Sequence, residues 1–309
     1  MTKMDHVCIC LATYNGARFI EKQLISFIDQ TYQNWSLLIS DDGSTDETKN
    51  IIYKFIKDYP EKHILFIDGP RQGYLKNFLS LLCHNQAIGD YFAFADQDDI
   101  WLPKKLEVAV YHLNQFSGKG PKLYGSRTKI IDAHDNQLTL SPLFQKKPSF
   151  INALVQNFSG GNTMLLNKEA KIALEHIGAD IDVVSHDWWV YLVISGLGGK
   201  VIYDPNPQVL YRSHTLNIIG VNQGPVARIK RLHAAMEGKY AGWNDLNVRA
   251  LNKFSHMLTP ENRKLLIAFS QFRSSRGINA LVLGRKMGLY RLTRCGTLSL
   301  YMAGFFGKV

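Results

Sequence analysis

Three carboxylates fall within four positions at Asp96-Gln97-Asp98-Asp99, directly after the apolar run Tyr91-Phe92-Ala93-Phe94-Ala95 and before Ile100-Trp101-Leu102-Pro103. Like charges held this close raise one another's pKa unless a cation neutralises them. Hard divalent cations such as Mg2+ or Mn2+ take oxygen ligands, commonly one or two carboxylates together with substrate phosphates. A carboxylate cluster at the carboxyl end of a strand therefore points to a metal–diphosphate site. The competing reading is a solvated acidic turn that caps a helix beginning near Pro103, where Asp is favourable. The elements around the cluster discriminate between the two.

Val7 to Ala12 is a short apolar run that ends in the turn-like Thr13-Tyr14-Asn15-Gly16, and Phe19, Ile20, Leu24, Ile25, Phe27 and Ile28 then recur at helical spacing. Trp35 to Ser40 reads as a second strand, closed by Asp41-Asp42-Gly43-Ser44-Thr45-Asp46, with Ser44 or Thr45 as N-cap of a helix carrying Ile51, Ile52 and Phe55. A third strand (63–67), a helix (73–82) and a fourth strand (91–95) follow. This β-α-β-α alternation predicts an α/β fold with a mostly parallel sheet wrapped by helices. Ligands of such sheets bind beyond the carboxyl ends of strands, which is where all three polar clusters fall.

Beyond Pro103 the pattern predicts a helix over 104–116, a strand near 123–131, a polar stretch over 134–147 and a helix over 149–157. Ser159-Gly160-Gly161-Asn162-Thr163 precedes a strand (164–166) and a helix (168–176). Then come His186-Asp187-Trp188-Trp189, a strand at 201–203 and Tyr211-Arg212-Ser213-His214. The one linker-like break is Gly220-Val221-Asn222-Gln223-Gly224-Pro225. The first β-α turn has no Gly-x-Gly-x-x-Gly, which argues against a dinucleotide-binding dehydrogenase.

The chain has 309 residues, 46% of them hydrophobic and 20% charged, an ordinary globular balance. Its four cysteines (Cys8, Cys10, Cys83, Cys295) fit no zinc spacing and read as buried reduced thiols. No apolar stretch reaches the ~18–20 residues that span a bilayer, and residues 1–6 lack a signal-peptide core, so a cytoplasmic location is expected. The net charge of +10 is uneven: residues 220–309 hold 15 of the 36 Lys/Arg but 3 of the 26 Asp/Glu. A basic last third implies an anionic partner surface, lipid or nucleic acid.

In order and spacing, these clusters resemble a family-2 glycosyltransferase of the GT-A type, over roughly residues 6–220. Thr13-Tyr14-Asn15-Gly16, Asp41 to Asp46, Gly73 with Asn77, Asp96 to Trp101, Ser159 to Thr163, His186-Asp187-Trp188 and Tyr211 to His214 carry the likeness. The Asp-Gln-Asp-Asp-Ile-Trp run, the His-Asp-Trp triplet and Tyr-Arg-x-His-x-x-Asn (Tyr211 to Asn217) favour bacterial rhamnosyltransferases of cell-wall, capsule or O-antigen polysaccharide.

The resemblance implies roles. Thr13, Tyr14 and Asn15 would pack around a nucleotide base and Asp42 would accept its N3–H, a donor shared by uracil and thymine. Asp96 would lie near the ribose, with Asn77 also on the nucleotide sugar. Asp98 would ligate Mn2+ or Mg2+, with Asp99 as a second contact and His214 as a third ligand or a phosphate contact, and Arg212 would meet the diphosphate. Asp187 would be the base of an inverting transfer, or the N-cap of a helix with core tryptophans. Gly160, Gly161, Trp188 and Trp189 would serve the acceptor. The implied reaction moves L-rhamnose from dTDP-β-L-rhamnose to an undecaprenyl-linked glycan; a UDP-hexose galactosyl- or glucosyltransferase is the alternative.

Two domains are expected: a catalytic one over 1–220, with a nucleotide-sugar half to about 102, and a basic helical region over 221–309. Arg263 to Arg273 and Ile278 to Phe306 interleave Lys/Arg with Leu, Ile, Tyr and Phe. Such an element lies in the interface of an anionic membrane, here the inner face, or else packs on the core with its charges solvated. A nucleic-acid-binding protein is the rival class, opposed by the acidic motifs and the absence of a recognisable module. A homodimer is compatible with the sequence.

Overall fold

β1 (Val7–Thr13) and β2 (Trp35–Asp41) are buried at every position, as mostly apolar runs are in strands covered on both faces. In this computed structural model, which describes residues 4–213 and 239–309, they pair in parallel from Val7↔Trp35 to Thr13↔Asp41. β3 (Ile64–Asp68) extends the sheet beside β2, and β4 (Tyr91–Ala95) pairs with β1 up to Leu11↔Ala95. These registers bring the ends of β1, β2 and β4 level, so the 13–16, 41–46 and 96–99 turns leave the sheet side by side. The helices α1 (Ile20–Ile28), α2 (Thr48–Asp58) and α3 (Tyr74–Cys83) make the parallel crossovers.

The sheet then changes character. β5 (Ile100–Trp101), β6 (Lys122–Ile131), β7 (Gln137–Leu140), β8 (Leu165–Asn167) and β9 (Lys200–Arg212) complete nine strands in the order β3-β2-β1-β4-β8-β6-β9-β5, with β7 on β6. The β4–β8, β6–β8, β6–β7 and β5–β9 pairs are antiparallel. α4 (Lys105–Asn114) and α6 (Lys168–Ile177) cover this half. One core gathers Ile9, Leu11, Ile20, Leu24, Phe27, Ile39, Ala95, Trp101 and Leu106, so β5 is packed as core although it is two residues long.

The chain forms two compact units: residues 1–143, 159–180 and 202–214 in one, and 144–158, 181–201 and 215–309 in the other. The second holds α5 (Phe150–Ala153), α7 (His186–Gly196), α8 (Lys239–Lys253), α9 (Pro260–Ser274), α10 (Gly277–Met287) and α11 (Arg294–Phe305). Every residue of α7 is buried, matching its all-round hydrophobicity. Phe272 of α9 fits where α10 and α11 have glycines; a Cβ on Gly304 would lie 2.7 Å from its ring, and one on Gly284 3.1 Å.

Several expectations are corrected. Neither Ser44 nor Thr45 caps α2: the helix begins at Thr48, whose amide donates to Asp46 Oδ1 at 3.0 Å. Ser149 does cap its helix, but that helix is one turn, ending at Ala153. The polar 134–147 stretch contains β7, because Gln137-Leu138-Thr139-Leu140 can pair with β6 while carrying too few apolar residues to signal a strand. Val201-Ile202-Tyr203 lies near the start of a 13-residue strand, Lys200–Arg212. Cys8 and Cys10 are buried, whereas Cys83 is half-buried and Cys295 exposed. The Gly220–Pro225 break and His214 lie outside the described residues.

Candidate active site

The three turns at the sheet edge are stitched together by side chains that strand ends cannot satisfy alone. Tyr14 N–H donates to Gln97 Oε1 and Gln97 Nε2 donates back to Tyr14 O, both at 2.9 Å. A Cβ on Gly16 would sit 2.1 Å from Gln97 Oε1, so any larger residue there would displace this amide. Asn15 N–H donates to Ser44 Oγ at 2.8 Å and Asn15 Oδ1 accepts from Thr45 N–H at 2.9 Å. Asp41 Oδ1 accepts the Ser44 amide at 2.8 Å and its Oδ2 accepts Thr13 Oγ1 at 2.9 Å. The residue that holds the acidic turn to the first turn is thus Gln97, to which the sequence reading gave no role.

Within the edge the predicted residues divide. Tyr14 is 56% exposed and Asn15 is exposed, while Asp96 and Asp98 are half-buried, so these four present surface. Thr13 and Asp42 are buried at the rim; Asp42 accepts the backbone N–H of Arg71 at 2.6 Å and of Gly73 at 2.7 Å. Arg71 itself adopts φ 58°, and its side chain runs 3.5 Å from where a Gly43 Cβ would be. Asn77 is 1% exposed, with Oδ1 accepting from Ser40 Oγ and Nδ2 donating to Ser40 O. Both ends of that amide bond β2, so Asn77 pins α3 to the sheet.

Asp99 lies beneath the rim, fully buried. Its Oδ1 accepts the Arg212 backbone N–H at 3.1 Å and its Oδ2 accepts Asn162 Nδ2. Burial pushes the Asp99 carboxyl well above the usual carboxylate range, and the Asp98 and Asp96 charges push it further. Asn162 follows exposed Gly160, which a Cβ would crowd against Asn162 Oδ1 at 2.8 Å, and buried Gly161. This Gly-Gly turn therefore serves the acidic loop by delivering Asn162. Arg212, also fully buried, directs Nε to Asp98 O at 2.8 Å and Nη1 to Asp132 O at 3.1 Å. Its guanidinium is thus engaged inside the fold through Nε and Nη1.

Behind this loop is a cation the sequence did not advertise. Lys105, at the start of α4, is 0% exposed, with Nζ 3.5 Å from the Trp101 ring centroid and no hydrogen-bond partner among the described residues. Burial brings its ammonium down to about 7, with the Asp99 charge pulling the other way. Folding thus binds less proton than the unfolded chain between about pH 7 and the ordinary lysine value, so this site adds stability as pH rises through that window. Chemical denaturation should show the wild type gaining about 2 kcal/mol more than Lys105→Met between pH 7 and pH 9. Equal pH dependence in the two proteins would place the charge elsewhere.

In the second unit, Asp187 occupies the first turn of α7 and is 8% exposed. Oδ1 accepts Ser185 Oγ at 2.5 Å and the Trp188 amide at 2.7 Å, which fixes the rotamer; Oδ2 has no hydrogen bond among the described residues. Ser185 is the N-cap of α7, so the capping reading of Asp187 holds only in that it bonds its neighbours. Burial brings adjacent His186 down to about 4 and keeps its ring neutral. Trp188 donates Nε1–H to Ala153 O at 2.7 Å and meets Trp243 edge-on at 6.3 Å. Trp189, 1% exposed, has no free ring face for a sugar; that part of the acceptor assignment is corrected to core packing.

Among the described residues no group of three or more His, Cys, Asp or Glu side chains converges as a ready-made metal cage. The donor set nevertheless fits a hard cation of the Mg2+ or Mn2+ type, which is bound through one or two carboxylates with phosphate and water completing the shell. The half-buried Asp98 beside a buried, charge-stressed Asp99 provides that arrangement.

The chain is similar to known proteins in both sequence and fold. The glycosyl transferase family 2 profile matches residues 8–170. A dTDP-rhamnosyl transferase, RfbG of Shigella flexneri, is 33% identical over 235 residues, 72% of this chain and 78% of that protein. A UDP-Glc:α-D-GlcNAc-diphosphoundecaprenol β-1,3-glucosyltransferase, WfgD of Escherichia coli, is 34% identical over 108 residues, 34% of this chain and 39% of its own. Among solved structures, S. aureus TarS matches with TM-score 0.55 and 16% identity, over 87% of this chain and 43% of TarS. The mannosyltransferase PcManGT of Pyrobaculum calidifontis, in complex with GDP-Man and Mn2+, matches with TM-score 0.52 and 17% identity over 99% of this chain and 88% of its own. The fold is that of GT-A glycosyltransferases, and the chain belongs to glycosyl transferase family 2.

Proposed function

We propose that this enzyme transfers L-rhamnose from dTDP-β-L-rhamnose, with inversion, to a hydroxyl of a lipid-linked glycan at the inner face of a bacterial cell membrane. The observation that carries the donor site is the convergence of the Thr13–Asn15, Asp41–Asp42 and Asp96–Asp99 turns at one sheet edge. The choice of rhamnose rests on the similarity to the S. flexneri dTDP-rhamnosyl transferase. In this reading Tyr14 and Asn15 flank the base, Asp42 accepts its N3–H, Asp96 faces the ribose and Asp98 holds the divalent cation. When bound, that cation neutralises charge on the departing nucleoside diphosphate. Asp187 Oδ2 takes the proton of the acceptor hydroxyl as the oxygen attacks the anomeric carbon, and Ser185 holds Oδ1 so that the carboxylate cannot rotate away.

A second reading, a UDP-hexose donor, is favoured by the similarity to WfgD, since an N3–H contact at Asp42 would not distinguish uracil from thymine. Incubating the enzyme with Mn2+ and dTDP-rhamnose, UDP-glucose, UDP-galactose or UDP-GlcNAc should show stabilisation and slow donor hydrolysis with dTDP-rhamnose alone. A response confined to a UDP-hexose would transfer the assignment to the second reading.

The basic region supports attachment to an anionic membrane. Ile278 and Val282 of α10, and Leu298, Met302 and Phe305 of α11 with Phe306, are exposed beside exposed Arg285, Lys286 and Arg294. Among the described residues no helix is long and apolar enough to cross a membrane. Each Phe contributes up to ~1.5–3 kcal/mol on burial. Phe305→Ser with Phe306→Ser should therefore weaken co-sedimentation with phosphatidylglycerol vesicles at least about tenfold. Undiminished binding would show that these residues are not the anchor.

A further inference from the structure

Arg212 is bonded on several sides within the first unit, and one of its anchors lies outside every motif that marked the site. β6 and β7 are joined by a turn that begins at Asp132, whose Oδ1 accepts the amides of His134 at 2.8 Å and Asn136 at 2.9 Å. This turn places Asp135 at φ 70°, a conformation favourable only to Gly, Asn and Asp among common residues. From there the Asp135 carboxylate bonds Arg212 Nη1 through Oδ1 and Lys22 Nζ through Oδ2. Phe19 closes the other side, with the Arg212 guanidinium carbon 4.7 Å from its ring centroid. The far side of the same guanidinium, Nε, holds the Asp98 carbonyl, while the Arg212 amide holds the Asp99 carboxylate.

We propose that Asp135 is a positioning residue for the donor site: through Arg212 it fixes the backbone of Asp98 and the carboxylate of Asp99, and so sets the direction in which Asp98 offers its oxygens. The inference rests on the reading of Asp98 as the cation ligand, and adds a part that the turn over 132–136 plays in it. The physical reason is charge. Arg212 is fully buried, and a guanidinium without an anion in such a place carries a large desolvation cost. Asp135 is a carboxylate bonded to that guanidinium. Removing it takes a charge-assisted bond from Nη1 of a buried group whose Nε holds the Asp98 carbonyl and whose amide holds Asp99, so the loop loses part of its support. Lys22, with a side chain 58% exposed, can be solvated without Asp135 and carries no such constraint.

Asp135→Gly is the informative variant, because glycine adopts the positive φ freely and only the carboxylate is lost. In the ligand-free protein, hydrogen exchange of the Arg212 amide and of residues 96–102 is expected to accelerate about tenfold or more, with circular dichroism unchanged. Calorimetric titration with dTDP in Mn2+ is expected to show affinity lowered about tenfold, the usual effect of losing an outer partner of a metal ligand. Asp135→Asn, which retains an oxygen for Nη1, should recover part of the protection. Lys22→Met should stay within about twofold of wild type in both measurements. Wild-type protection of the Arg212 amide in Asp135→Gly would overturn the proposal, as would lost protection with undiminished dTDP affinity. Failure of the wild type itself to bind dTDP or UDP would instead refute the donor reading, while exchange still decides whether Asp135 holds the loop.

Discussion

Asp187→Asn is expected to lower the turnover number for sugar transfer about 10^3-fold while changing nucleotide affinity less than about twofold, because a general base contributes of the order of 10^2–10^4 in rate and nothing to donor binding. The substitution keeps an acceptor oxygen for Ser185 Oγ and the Trp188 amide, so the start of α7 retains its geometry. It removes the ability of Oδ2 to accept a proton. Turnover with a saturating donor, measured beside dTDP titration, separates the two quantities. Loss of both would mean that Asp187 shapes the donor site, and loss of neither would remove it from the chemistry.

The second large effect is expected at Asp98. A cation held by one or two protein carboxylates has no reserve of ligands, so Asp98→Ala should reduce Mn2+-dependent nucleotide affinity about 10^2-fold, and EDTA should abolish transfer by the wild type. Asp99→Asn provides the contrast. Both Asp99 oxygens already accept internal hydrogen bonds, from Arg212 and Asn162, so its loss should appear first in stability. Full transfer in EDTA would detach the acidic turn from any cation.

How much of this was legible in the residues varies with the physics behind each part. β1, β2 and β4 were readable because strands buried on both faces are mostly apolar runs, and the polar turns after them stand out against that background. β7 was not, because its apolar positions are two leucines in a polar stretch and its pairing with β6 is a tertiary choice. At the site, Asp96–Asp99 stood out from residue type as carboxylates clustered at a strand end. The internal bonds of Asn77 and Arg212 did not. Whether a polar side chain meets a ligand or its own fold depends on partners 37 residues away for Asn77 and 77 or more for Arg212. Lys105 and Asp135 were invisible for the opposite reason: a lysine near a helix start and an aspartate in a turn are ordinary surface residues until folding buries one on Trp101 and ties the other to Arg212.

The most direct test is a crystal structure of the protein grown with dTDP and Mn2+, with data collected at the manganese absorption edge. The account predicts one anomalous peak between the Asp98 carboxylate and the diphosphate, the base beside Tyr14 and its N3–H on Asp42. Nucleotide bound away from the β1, β2 and β4 ends, or manganese absent from the Asp96–Asp99 turn while the diphosphate is in place, would contradict it.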